Sequence, residues 1–141
     1  LQSQIVGLAA INIPTVIAAG NNSNQTKIHY PACIPQAIAV GATDTPYSMQ
    51  QVTGWVYPIL LTSNSSADLD LYALGRAATT DVHGNTSVSL GTSNATVLVA
   101  TRLAQRLSDG STLDTVMAKV NASLQTAYRT LTNFELKFYQ T

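Results

Sequence analysis

The stretch TVIAAGNN, Thr15 to Asn22, decides how this chain folds. Thr15 to Ala19 carry no charge, and the run stops at a glycine followed by two asparagines. A run this short, apolar throughout and closed by turn residues, predicts a strand buried on both faces in a parallel sheet, with a loop beyond its carboxyl end. The flanking sequence agrees. Upstream, Leu1, Ile5, Leu8 and Ala9 share one face at helical spacing until Asn12-Ile13-Pro14 ends the pattern. Downstream, Ala37 to Ala42 repeats the strand signature, and Leu69, Leu71 and Ala73 alternate in a third strand stopped by Gly75.

Polar loops are expected between these strands. Asn21 to Lys27 is one, Ser63-Asn64-Ser65-Ser66 is the tip of another, and Thr79 to Ser89 is a third. The segment LGTSNATVLVATRLAQ, Leu90 to Gln105, then runs from a polar loop into an almost wholly apolar helix, Ser93 to about Leu107, predicted to be buried. After Asp109-Gly110, Ser111 and Asp114 have capping-box spacing. Leu113, Val116, Met117, Val120, Leu124 and Tyr128 form the stripe of a second helix. Phe134, Leu136 and Phe138 alternate as a terminal strand. Helices alternating with buried strands indicate an α/β layered fold. Three parallel strands are few for such a sheet, and an exposed edge is expected.

Composition narrows the function classes. The chain has 141 residues, 45% of them apolar, which argues for a folded core rather than disorder. Only 10% are charged, and seven basic side chains balance seven acidic ones. Such a chain offers no field for nucleic acid or an anionic membrane, and neither is expected as a partner. The single cysteine, Cys33, has no disulfide partner within the chain and is expected as a small buried or half-buried thiol. His29 and His83 lie too far apart in sequence for a zinc site with it. No apolar run reaches membrane-spanning length, and the opening residues carry no signal-peptide pattern. They read as the middle of a longer protein.

In open α/β sheets, sites form beyond the carboxyl ends of the strands. Gly20-Asn21 lies at one such end, and Gly91-Thr92-Ser93 opens the apolar helix. From position alone, Ser93 is either a helix N-cap or a nucleophile, and Asn21 is either a turn residue or a donor. A nucleophile at a helix N-terminus gains an oxyanion donor in its own N–H and a favourable helix dipole.

Four blocks in order, TVIAAGNN, YPACIPQAIAVGATD (Tyr30 to Asp44), LDLYALG (Leu69 to Gly75) and GTSNATVLVA (Gly91 to Ala100), resemble the C-terminal half of a subtilisin-like serine protease, a subtilase. The resemblance is clear over residues 1–107 and weaker over the following helix. It lapses at the end, so residues 108–141 are read as a C-terminal helix and possible terminal strand of one partial domain. It implies a three-layer α/β/α fold, with only the C-terminal part of its parallel sheet here. By the same resemblance, Ser93 matches the nucleophile and Asn21 the side-chain donor of the oxyanion hole. Ala18, Ala19 and Gly20 match one wall of the pocket for the substrate residue before the scissile bond. His29 falls near the base of that pocket, where an imidazole narrows it or makes it polar. Gly91 and Thr92 complete the substrate-binding set beside Ser93.

Subtilases order their triad Asp, His, Ser along the chain. The 20 residues before Asn21 contain neither Asp nor His, so the triad is incomplete here. His83 falls in a loop of the family pattern and is not the base. The Pro and His that commonly follow the family's serine are absent, with Val97 and Leu98 in that region, and Leu74 stands for the usual Pro of LYALG. The resemblance thus implies the C-terminal part of a serine endopeptidase, inactive alone, acting on a peptide or protein substrate. A missing N-terminal half or another chain is expected over the exposed sheet edge. The alternative is a degenerate subtilase kept as a binding or structural module. A polar adhesion or carbohydrate-binding domain is a third reading, motivated only by low charge and abundant Ser, Thr and Asn.

No cofactor is implied. Many subtilases bind calcium, but Asp44, Asp68 and Asp70 show no ligand-loop spacing, and they are expected to be solvated loop acids. Sequons occur at Asn21, Asn24, Asn64, Asn85, Asn94 and Asn121. Glycans on Asn21 or Asn94 would block the expected site, so the sequons are read as mostly unused and a bacterial source is favoured.

Overall fold

The computed structural model describes residues 1–45, 47, 48, 55, 56 and 58–118. The first helix, α1 (Gln2–Ala10), buries Ile5 against Ile34 and Ala37. It ends where the sequence predicts. Asn12 takes a left-handed φ of 60°, its N–H donates to Ala9 O at 3.0 Å, and Ile13 N donates to Leu8 O at 2.9 Å. This paired closure satisfies the last carbonyls of the helix, and asparagine tolerates the left-handed position.

Three parallel strands follow: β1 (Thr15–Ala18), β2 (Ala37–Thr43) and β5 (Leu71–Leu74), in the spatial order β1-β2-β5. Val16 pairs with Ile38, and Val40 with Leu71. All seven residues of β2 are buried, as expected for a central strand covered on both faces. The expectation of full burial fails for β1, whose four residues are only half-buried. It pairs with β2 alone among the described residues, so it is an edge strand. The Thr15 hydroxyl is enclosed there with no described partner.

The long helix α2 (Thr92–Ser108) packs across β1, β2 and β5. Ala95, Val99 and Leu103 meet Ile38, Val40, Ala42, Leu71 and Ala73 in the main cluster. On the opposite face, Ala39 joins Ala19, Ile28 and Ala32, and α1 covers Ala37. Helix, sheet and helix are the three layers expected. α2 is not buried all round, however. Its enclosed positions, Thr92, Ala95, Val99 and Leu103, follow one stripe, and Val97 is 65% exposed. The apolar sequence overstated the burial because β-branched and small residues also sit on the solvent face.

Other differences are local. The stretch Thr79 to Ser89, read as a loop, is largely a hairpin of β6 (Arg76–Thr80) and β7 (Thr86–Leu90). Its turn is built on Asp81, whose Oδ1 accepts from His83 N at 2.8 Å and Asn85 N at 2.9 Å. A shorter ribbon pairs β3 (Tyr47–Ser48) with β4 (Trp55–Val56). The helix at 113–118 is capped one residue later than predicted, with Thr112 Oγ1 accepting from Thr115 N at 3.3 Å. Val116 is buried in the main cluster, with Leu113 and Met117 beside it. Cys33 is exposed, not buried, because its turn directs Ala32 and Ile34 inward instead. Val120, Asn121, Leu124, Tyr128, Phe134, Leu136 and Phe138 lie outside the described residues.

Candidate active site

The site forms where the carboxyl end of β1 meets the first turn of α2. Past β1, Ala19 N donates to Val40 O at 2.9 Å, which continues the pairing by one residue. Ala19 is fully enclosed, and Ala18 is half-buried. The chain then turns at Gly20, with φ +107°. A β-carbon there would stand 2.5 Å from Asn64 Nδ2 and 3.0 Å from His29 Nδ1. The His29 imidazole therefore lies against Gly20, and His29 N donates to Ala19 O at 3.0 Å.

Asn21 is the next residue. Its Oδ1 accepts from Thr92 N at 2.9 Å and from Thr92 Oγ1 at 3.1 Å, across 71 residues of sequence. A backbone N–H can only donate, so the amide orientation is fixed: Oδ1 faces Thr92 and Nδ2 is left to donate elsewhere. Gly91 is the N-cap of α2 and has no side chain to cap with. Asn21 supplies the cap from another element, and this satisfies one of the four amides a helix leaves unpaired at its N-terminus. Gly91 has φ +156°, and a β-carbon on it would stand 3.2 Å from Asn21 Nδ2. Glycine is favoured there by its backbone, and any β-carbon would also crowd that amide.

Ser93 is the second helical residue, so it is not the N-cap. It is exposed, and its hydroxyl has no hydrogen bond among the described residues. Its own N–H lies in the first turn, where helical amides lack intrahelical acceptors and the helix dipole is positive. Behind it, Asn94 Nδ2 donates to Gly75 O at 3.0 Å and to Ser89 Oγ at 3.2 Å, tying the helix start to the end of β7. The exposed Ser93 hydroxyl, its first-turn N–H and the Asn21 side-chain amide thus lie where the end of β1 meets the start of α2. A hydroxyl and two N–H donors that face one point can stabilise a developing oxyanion.

Of the residues singled out in the sequence, Gly20, Asn21, His29, Gly91, Thr92 and Ser93 fall together. His83 is elsewhere, in the β6–β7 turn. Asp44 is not a solvated acid. It accepts from Arg76 Nε at 2.6 Å and Arg76 Nη2 at 3.0 Å. The guanidinium, and then the Thr45 N–H, hold its carboxyl down at about 2. Asp70 Oδ2 accepts from Ala39 N at 2.7 Å. Among the described residues no group of three or more acidic, histidine or cysteine side chains could hold a metal ion.

Ser63 and Asn64 have the sequence pattern of a loop tip, which carries no sign of their place in the structure. Both are completely buried. Ser63 Oγ accepts from Ala42 N at 3.0 Å and donates to Asn64 O at 3.1 Å. Asn64 reaches the loop that carries Asn21. A buried polar pair leaves no hydrophobic pattern, and the composition around it is that of an exposed turn.

The sequence model of the subtilase family matches residues 4–137, which extends the likeness past the point where the motifs fade. No curated protein matches the chain in sequence. Among solved structures it is similar to the prenylagaramide maturation protease PagA, at 23% identity and a TM-score of 0.69, over 97% of this chain and 49% of that one. It is also similar to the self-cleaved protease domain of PatA, at 27% identity and a TM-score of 0.66, over 87% of this chain and 46% of that one. The chain spans about half the length of the solved structures it matches.

Proposed function

The chain belongs to the subtilase family, and from that premise we propose that it supplies the nucleophile and one oxyanion donor of a serine endopeptidase. The observation that carries the reading is the pair of hydrogen bonds from Thr92 to Asn21 Oδ1. They bring a strand-end amide beside the helix turn that bears Ser93 and leave its Nδ2 to donate.

In this mechanism Ser93 Oγ attacks the scissile carbonyl carbon while a general base takes its proton. The carbonyl oxygen becomes the oxyanion and accepts from Asn21 Nδ2 and Ser93 N–H. Collapse expels the amine, which receives the proton from the base, and leaves an acyl ester on Ser93. Water, activated by the same base, hydrolyses that ester and restores the hydroxyl. The base and its orienting carboxylate come from residues outside this chain's 141, so the chain alone is inactive. His29, whose imidazole lies against Gly20, sits near the base of the pocket for the substrate residue before the scissile bond and narrows it or makes it polar. The half-buried edge strand β1 is where the remainder of the catalytic domain, or a separate chain, adds its strand.

The test is hydrolysis of an unstructured polypeptide by the full-length protein. The expected result is cleavage that disappears in Ser93→Ala with the fold intact. Cleavage retained at full rate in Ser93→Ala, or no cleavage by the wild type across substrates, would refute the reading. The second result would favour a degenerate subtilase kept for binding, the alternative motivated by the altered residues Val97 and Leu98.

A further inference from the structure

The loop that carries Asn21 contains no apolar side chain from Asn21 to Lys27. Hydrophobic burial therefore cannot fix its shape, and its hydrogen bonds must. Asn24 Oδ1 folds the far end, accepting from Thr26 N and Lys27 N at 2.9 Å each, while on the Ala19–Asn24 side four bonds lead to one residue. Asn64 Oδ1 accepts from Asn22 N and from Asn24 N, each at 3.0 Å. Its Nδ2 donates to Ala19 O at 3.2 Å, and its backbone N donates to Gly20 O at 2.8 Å. Asn64 thus grips the chain on both sides of Asn21, at Ala19 and Gly20 before it and at Asn22 and Asn24 after it. Neighbouring backbone bonds, Ser23 N to Thr62 O at 2.9 Å and Ser65 N to Asn24 O at 2.8 Å, complete the clamp. The clamp is rooted in the sheet, because Ser63 ties the Asn64 carbonyl to the Ala42 amide of β2.

We propose that Asn64 is the positioning residue of the Asn21 oxyanion donor: its buried carboxamide sets the Gly20–Asn24 loop so that Asn21 meets Thr92 beside Ser93. The proposal rests on the reading of Asn21 and Ser93 given above. A fully buried carboxamide is costly unless its hydrogen bonds are made, and three loop partners satisfy this one. A donor contributes to catalysis only when it is held in place before the reaction, and a displacement of about 1 Å can cost about 10²-fold in rate. Asn21 is exposed and held only through its loop and Thr92. The close packing at Gly20, where a β-carbon would stand 2.5 Å from Asn64 Nδ2, shows how tightly the carboxamide is seated.

Two readouts in the full-length protein separate positioning from general support of the fold. The first is kinetic. Asn64→Ala should lower kcat by about 10- to 10²-fold with little change in KM. In an Asn21→Ala background it should cost little further, because the donor it positions is already gone. Full additivity of the two substitutions would overturn the proposal. The second does not depend on activity. The Thr92 amide, which donates to Asn21 Oδ1, should lose hydrogen-exchange protection in Asn64→Ala while the Val40 amide of β2 keeps its own. Unchanged protection at Thr92, or an equal loss at both amides, would overturn it. If Asn64→Ala does not fold, Asn64→Asp serves in both experiments, since it keeps an acceptor for the Asn22 and Asn24 amides and loses the donor to Ala19 O. A protein without protease activity defeats the proposed function by the first readout, and the second still decides the role of Asn64.

Discussion

Gly20→Ala is the substitution for which the structure gives the sharpest expectation. Two costs arise at that position. The backbone has φ +107°, where an alanine is strained by about 1–2 kcal/mol. The new β-carbon would also stand 2.5 Å from Asn64 Nδ2, and Asn64 is fully buried with its amide committed to Ala19 O, so it cannot swing away. Overpacking of this kind adds about 1–3 kcal/mol. Gly84→Ala is the matched reference, because Gly84 has φ +85° and nothing within 4 Å of its would-be β-carbon. Urea unfolding of the full-length protein should therefore show Gly20→Ala less stable than Gly84→Ala by about 1–3 kcal/mol. kcat/KM should fall in Gly20→Ala and hold in Gly84→Ala. Equal destabilisation by the two substitutions would mean that Gly20 and Asn64 are not in contact, and the clamp on the Asn21 loop would be wrong.

Three further expectations follow from the same geometry. Asn21→Ala should reduce kcat more than KM, by up to about 10²–10³-fold, the range known for removing the side-chain oxyanion donor of subtilisin; a loss confined to KM would contradict the donor role. The Asp44 carboxyl is held at about 2 by Arg76, below the ordinary carboxylate value, so the stability it contributes is present above about pH 4 and lost as the pH falls toward 2. Thermal melts of the wild type should thus decline more steeply than those of Asp44→Asn over that range, and parallel curves would rule out the ion pair in solution. Leu103→Ala removes a buried side chain from the contact of α2 with the sheet and should cost about 2–5 kcal/mol in urea unfolding, whereas Val97→Ala on the exposed side should cost under about 1 kcal/mol.

How far the sequence could be read depended on what kind of signal each part carries. β2 was legible because a central parallel strand is apolar on both faces and has no competing pattern. α1 was legible down to its end, since Asn12 and Pro14 are local stop signals. The hairpin of β6 and β7 was not, because both of its faces are rich in Thr and Ser and much of it meets solvent, so no apolar alternation marks it. The Asp81-to-Asn85 turn with Gly84 was the available cue. For the site, the ordered blocks located Asn21 and Ser93, but no spacing rule could say that Thr92 binds Asn21, since that contact exists only once β1 and α2 pack. Asn64 was hidden for a related reason. Its role consists wholly of long-range hydrogen bonds, and its neighbours Ser63 and Ser65 give it the look of a surface turn.

The central claim is that Ser93 is a nucleophile beside a working oxyanion site. A fluorophosphonate probe measures this directly, because phosphonylation requires an activated serine and builds a tetrahedral adduct with an oxyanion-like oxygen. Incubation with the full-length protein, followed by peptide mapping, should place the adduct on Ser93 and show slower labelling in Asn21→Ala. No adduct on Ser93, under conditions that label an active serine protease, would contradict the account.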